Sequence, residues 1–228
     1  MVIDVIIPAR NESLSIGKVI EAIPHGLVRD VIVCDNGSTD DTAAKAHTHG
    51  AVVIHEPISG YGRACQAGLS YIRHRTPAAL PDVVVFLDGD FSDYPEEMID
   101  LISPIRLGKD LVIGSRVKGG PEKGAMTFPQ KFGNGLATKL IHLLYGVRFS
   151  DLGPFRAVRW DKLILLDMKD TDYGWTVEMQ VKAAKLKLAC AEVPVSYRKR
   201  IGKSKISGTV KGTLLAGHKI LWTIFKSL

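Results

Sequence analysis

Two carboxylates stand one residue apart in Asp88-Gly89-Asp90, directly after the apolar residues 84–87. Such a run reads as a strand buried in a sheet, so both acids emerge where the sheet opens to ligand. Hard oxygen ligands at i and i+2, around a glycine that lets the backbone come close, suit Mg²⁺ or Mn²⁺, which keep waters and accept phosphate oxygens. A cation bridging a diphosphate there would neutralise a departing nucleotide without proton transfer. The plain alternative is a solvated acidic turn, and position after a buried strand argues against it. Two more segments leave strand ends in the same way: Pro8-Ala9-Arg10-Asn11-Glu12, and residues 35–40, which open with Asp35-Asn36. Side chains there reach a nucleoside and backbone N–H groups reach phosphate. Turn chemistry and helix capping account equally well for Asn11, Ser38, Thr39 and Asp40. Gly60-Tyr61-Gly62-Arg63 adds a glycine turn with a cation ahead of a helix.

The elements that hold these segments follow from hydrophobic periodicity. Strands are predicted at residues 2–8, 30–34, 51–55, 83–87 and 111–114, and helices at 16–23, 43–49, 61–75 and 95–102. Apolar strands alternating with helices give a mainly parallel sheet covered on both faces, with ligands beyond its C-terminal edge. After residue 114 the alternation stops. A glycine-rich loop at 118–124 leads to an amphipathic helix at 131–145, then to shorter elements ending in a strand at 191–197.

A chain of 228 residues, 46% hydrophobic, supports one sizeable core, and no linker calls for a second. No signal peptide and no run long enough to span a bilayer is visible. Cys34, Cys65 and Cys190 lack the spacing of a zinc site or a disulfide framework, which predicts a reducing, cytoplasmic setting. Of the net charge of +6, eight positive charges and no acid fall from Pro194 onward, leaving the rest of the chain at −2. That basic tail suits phosphate or anionic lipid; nucleic acid is excluded as a partner because no aromatic stacking pattern accompanies the charge. At about 100° per residue, Leu214, Leu221, Phe225 and Leu228 share one arc of a tail helix, while Lys211, Lys219 and Lys226 share another. Such a helix fits a membrane surface or the protein core.

Together, the segments at 8–12, 35–42 and 88–90, with Gly114-Ser115-Arg116 after the next strand, resemble the family-2 glycosyltransferases of GT-A fold over nearly the whole chain. The second half is similar to the polyprenyl (dolichyl) phosphate mannose and glucose synthases. Its carriers are residues 151–157, the stretch 173–180 through Glu178, Glu192-Val193-Pro194, and Arg200 to Lys205. Asp35-Asn36 stands where the family has two consecutive acids, and Leu152-Gly153-Pro154 replaces its usual Ser-Gly.

The resemblance implies a Rossmann-like GT-A domain over residues 1–208 and an amphipathic helix over 209–228. It implies Mg²⁺ or Mn²⁺ on Asp88 and Asp90, and a UDP- or GDP-hexose in contact with Pro8, Arg10, Asn11, Glu12, Asp35, Asn36, Gly60, Arg63 and Gly89. Arg116, Lys131, Arg200 and Lys205 are candidates to pair with donor and acceptor phosphates. Asp151 and Glu178 are the remaining acids it places near the sugar. A polyprenyl phosphate acceptor is already an anionic nucleophile. A soluble or glycan hydroxyl would instead require a base such as Asp151 or Glu178. A non-catalytic nucleotide-sugar-binding subunit is a third reading, against which the intact acid pair speaks.

Overall fold

The strands Ile3–Ala9 (β1) and Val83–Phe86 (β4) are buried at every position and apolar except for Asp4, as strands covered on both faces must be. The computed structural model describes residues 1–202 and 210–226. Five further strands complete the sheet: Asp30–Asp35 (β2), Val52–His55 (β3), Leu111–Ser115 (β5), Arg156–Arg159 (β6) and Cys190–Pro194 (β7). The order is β3-β2-β1-β4-β6-β5-β7. Every pairing is parallel except those of β6, which runs antiparallel between β4 and β5. The predicted mainly parallel sheet is therefore present, with one reversed strand that begins at the edge where its neighbours end.

Alternate residues of each strand serve two apolar layers. Ile3, Val5, Ile7, Val33 and Val85 face the helices Ile16–Ala22 (α1), Thr42–Thr48 (α2) and Met98–Arg106 (α4). Ile6, Ile32, Val84, Phe86 and Ile113 face the opposite layer, built from Tyr61–Arg73 (α3), Phe128–Tyr145 (α6), Trp160–Leu166 (α7), Trp175–Lys185 (α8) and Val210–Lys226 (α9). Arg116–Gly119 (α5) is a single turn after β5.

Two helices differ from their predicted extent. α4 begins at Met98, after a 3₁₀ turn at Pro95–Glu97, and continues through Pro104 to Arg106. α6 starts at Phe128 rather than 131, because Thr127 and Gln130 form a capping box and Pro129 is tolerated in the first turn. The tail helix is present, and residues outside the predicted arc seat it. Ile224 is fully buried and Ile220 half-buried against α6 and α8, one turn apart. Phe225 is exposed, Lys219 pairs with Asp170, and Leu228 lies outside the described residues. Ile220 and Ile224, which lie outside the predicted arc, carry this packing.

Candidate active site

The loop after β1 is pinned to the loop after β2. Ser38 Oγ accepts from the Asn11 amide at 2.9 Å, Asn11 Oδ1 accepts from the Thr39 amide at 2.7 Å, and Thr42 Oγ1 accepts from the Glu12 amide at 2.8 Å. Asn11 is left-handed at φ 53°, a conformation asparagine tolerates. Asp35 accepts from the Ser38 amide, and Asn36 spends its amide on the carbonyls of Glu56 and Ile58 and on the Gly60 N–H. Asn11, Asp35 and Asn36 thus hold the loops that shape the site.

Those loops wall a cavity of ≈ 210 Å³ beyond the C-terminal ends of β1, β2 and β4. Pro8, Arg10, Glu12, Asn36, Gly60, Asp88, Gly89, Asp90 and Arg200 line it, and so do Tyr61, Asp172 and Tyr173, to which the sequence assigns no role. Gly60 and Gly62 permit a close approach of two backbones. A Cβ on either would collide with the carbonyls of Thr171 or Asp170, so only glycine lets the α3 N-terminus meet that distant loop. The contact half-buries Tyr61, whose hydroxyl donates to Asp88 Oδ1 at 3.0 Å.

A second cavity, ≈ 290 Å³, meets the first at Tyr61, Asp88, Asp90, Tyr173 and Arg200. Its walls are α6, at Pro129, Gly133 and Asn134, and α9, at Ala216, Gly217 and Ile220, with Met126, Leu152 and Pro154 adding apolar surface. Arg116 borders it. Asp151 grips that arginine from behind, Oδ2 accepting from the backbone N–H and Nε at 2.8 Å each and Oδ1 from Nη2 at 2.7 Å. Burial alone would lower the Arg116 pKa, but the Asp151 carboxylate more than reverses this and keeps the guanidinium charged. Arg156, fully buried and unassigned by sequence, donates to the carbonyls of Leu152, Gly153 and Thr176 and so fixes the wall beside Asp151.

Arg200 spans the acids, with Nη2 donating to Glu12 Oε1 at 3.0 Å and Nη1 3.2 Å from Asp90 Oδ2. Arg198 delivers it. Its guanidinium lies 3.4 Å from the Phe91 ring centre and 4.0 Å from that of Tyr94, and donates to the carbonyls of Phe91 and Asp93. With Ile201 N–H on the Asp90 carbonyl, the segment is stitched along the loop that follows Asp88. Both carboxylate oxygens of the buried Asp93 lack a partner in that loop, and burial pushes its pKa well up.

Asp88 and Asp90 meet the requirements of a divalent cation. Burial, then the charge of Asp90, raises the Asp88 carboxyl to about 7, against which Tyr61 and the arginines act only partly. A cation beside the pair would favour the ionised form. Among the described residues no three His, Cys, Asp or Glu side chains converge, and a cation on Asp88 and Asp90 would complete its shell with water and phosphate oxygens, as Mg²⁺ and Mn²⁺ prefer. Because the cation must displace the proton, Mn²⁺ affinity is expected to fall roughly tenfold per pH unit below about 7 and to level off above it. Calorimetric titration from pH 5.5 to 8.5 checks this, and a flat profile would contradict it.

The other predicted residues lie elsewhere. Glu178 accepts from the amides of Lys169 and Asp170 and pairs with Lys182 at 2.7 Å, outside both cavities. Arg63 faces a separate groove beside α3, and Lys131 is exposed on α6. Lys205 lies outside the described residues.

The model of glycosyl transferase family 2 matches residues 4–165. An uncharacterized glycosyltransferase of Mycobacterium tuberculosis is 34% identical over 216 residues, 94% of each chain. The undecaprenyl-phosphate mannosyltransferase of Micrococcus luteus is 32% identical over 222 residues, 91% of this chain and 88% of its own. Among solved structures, glucosyl-3-phosphoglycerate synthase from M. tuberculosis, in complex with Mn²⁺ and UDP-glucose, superposes with a TM-score of 0.74 at 25% identity, covering 99% of this chain and 78% of its own.

Proposed function

The chain belongs to glycosyl transferase family 2 and is a glycosyltransferase, and we propose that it transfers a hexose, glucose or mannose, from a UDP or GDP sugar to a polyprenyl phosphate. In this reading the first cavity takes the donor, Asp88 and Asp90 hold Mg²⁺ or Mn²⁺, and the second cavity takes the acceptor. The observation that carries it is the character of that second cavity: apolar walls contributed by α6 and α9, Arg200 where it meets the acid pair, and Arg116 also in its lining. A lipid phosphate has that polarity, a greasy chain and one anionic head.

The flanking surfaces agree. α6 and α9 contain no Asp or Glu, and each leaves large apolar side chains in solvent: Phe128, Phe132 and Leu143 on α6, Leu215, Trp222 and Phe225 on α9. Aromatic and basic residues without acids suit an anionic lipid surface. No helix among the described residues is long and apolar enough to cross a membrane. We place the protein at the cytoplasmic face as a peripheral enzyme.

An oxygen of the lipid phosphate attacks the anomeric carbon, the bond from that carbon to the diphosphate breaks, and the electron pair leaves with the nucleoside diphosphate, inverting the centre. A cation held by Asp88 and Asp90 would supply charge neutralisation on the leaving group. Arg116 and Arg200 orient phosphates, and Tyr61 orients Asp88. The nucleophile is ionised at neutral pH and no base is needed, which suits a site where Asp151 is committed to Arg116 and Glu178 to backbone amides. That commitment disfavours a hydroxyl acceptor.

The test offers labelled UDP-glucose and GDP-mannose, with Mn²⁺, to the chain alongside undecaprenyl phosphate in anionic vesicles, 3-phosphoglycerate, or a glycan. Label in the organic phase with the lipid alone is the expected result. Aqueous product from 3-phosphoglycerate or glycan, with none from the lipid, would sink the proposal.

A further inference from the structure

The loop of residues 169–174 carries Asp172 and Tyr173 to the donor cavity, and nothing in its own sequence makes it rigid. Asp170 organises it. Its carboxylate is nearly buried, with Oδ1 accepting from the amides of Asp172 at 2.8 Å and Gly174 at 3.1 Å. Its other oxygen, Oδ2, is held by Lys219 Nζ of α9 at 3.0 Å. α9 also comes close enough that a Cβ on Gly174 would lie 2.6 Å from Thr223 Oγ1. The same helix walls the acceptor cavity with Ala216, Gly217 and Ile220, on residues adjoining Lys219.

We propose that Lys219 is a positioning residue for the donor: through Asp170 it fixes the loop bearing Asp172 and Tyr173, so the helix that contacts the acceptor also sets the donor site. A buried carboxylate oxygen that loses its cation turns toward water or another donor, and the amides it capped lose their acceptor. Asp172 and Tyr173 then sample positions away from the cavity, and donor affinity falls by the fraction of time they are out of place. The inference rests on reading the first cavity as the donor site, but not on the identity of the acceptor.

The experiment titrates the full chain with UDP-glucose and with GDP-mannose, each with Mn²⁺ and no acceptor, by calorimetry. Lys219→Met is expected to weaken the donor that wild type binds better by on the order of tenfold. Lys219→Arg should restore affinity to within about threefold, because a guanidinium keeps the charge and a donor. Asp170→Asn should match Lys219→Met, and the double variant should be no weaker than either single, as expected of residues acting through one contact. Hydrogen exchange at the Asp172 and Gly174 amides should quicken in Lys219→Met, while KM for undecaprenyl phosphate stays within about twofold of wild type.

A donor affinity within twofold of wild type in Lys219→Met overturns the proposal. So does an equal loss of donor and acceptor affinity, which would mean general loosening of α9. If the chain instead glycosylates a soluble acceptor, the lipid reading fails while the donor titration still decides this one. Unaltered donor binding alongside lipid-linked product fails this one alone.

Discussion

Replacing Asp88 with asparagine will make the protein more stable and nearly inactive. The two effects have one cause. Burial and the neighbouring Asp90 raise the Asp88 carboxyl from 3.8 to about 7, so without a bound cation its ionised form is held at a cost on the order of 4 kcal/mol at neutral pH. The sign follows from the direction of the shift: a raised acid favours the folded state below pH ~4, and that advantage is lost as pH rises through about 7. Asparagine keeps an oxygen for the Tyr61 hydroxyl and carries no charge, so the melting temperature at pH 7.5 without divalent cation should rise by several degrees, at roughly 2–4 °C per kcal/mol for a chain of this size. At pH 4 the two proteins should melt together. Transfer should fall by about 10³-fold, because several kcal/mol of leaving-group stabilisation go with the lost ligand. Asp90→Ala should inactivate to the same degree without the gain in stability, since Asp90 also accepts from the Ser92 amide and faces Arg200. Melting curves and initial rates of labelled sugar transfer check both variants. Transfer by Asp88→Asn within tenfold of wild type would remove the acid pair from the mechanism.

The position of these acids was legible because it depends on a local pattern. Residues 84–87 are apolar without a break, and a strand that is buried to its last residue delivers whatever follows it to the sheet's open edge. Strands β1 to β5 and their connecting helices were legible for the same reason. β6 was not, because Arg-Ala-Val-Arg carries no apolar run, and only the finished sheet shows that Arg156 is buried by its bonds to three carbonyls. The meeting of Tyr61, Asp172 and Tyr173 at the site is not legible in sequence, because it depends on contacts more than a hundred residues apart along the chain, licensed by two glycines that look like a turn. Glu178 shows the converse. An acid in the first turn of a helix looks alike whether it binds a sugar or caps amides, and here it caps amides. Arg198 looks in sequence like any other cation of a basic tail, and only the two aromatic rings that enclose it set it apart.

Breaking the pair of Arg116 and Asp151 is expected to cost about 3–5 kcal/mol of stability, because either partner left alone is a buried, uncompensated charge. For Asp151→Ala or Arg116→Ala that corresponds to a fall of roughly 6–20 °C in melting temperature. Arg116→Lys should also be costly, since an ammonium cannot reproduce the fork that meets both carboxylate oxygens and lies 5.0 Å from the Tyr197 ring centre. A general base at Asp151 would behave differently, with Asp151→Asn losing kcat while melting near wild type and the pH profile losing a limb. The placement of the carboxylate argues against this. Both oxygens are engaged with Arg116, and that arginine lines the second cavity. The decisive variant removes both charges. Arg116→Met with Asp151→Leu replaces a buried ion pair by apolar groups of similar volume, a change that is often neutral for stability. If the pair exists to aim a cation at phosphate, this double variant should recover most of the lost melting temperature and still transfer sugar at least about 10²-fold more slowly, with KM for the phosphate acceptor raised. Recovery of both stability and transfer would reduce the pair to scaffolding, and the acceptor phosphate would then depend on Arg200 alone among the arginines where the two cavities join.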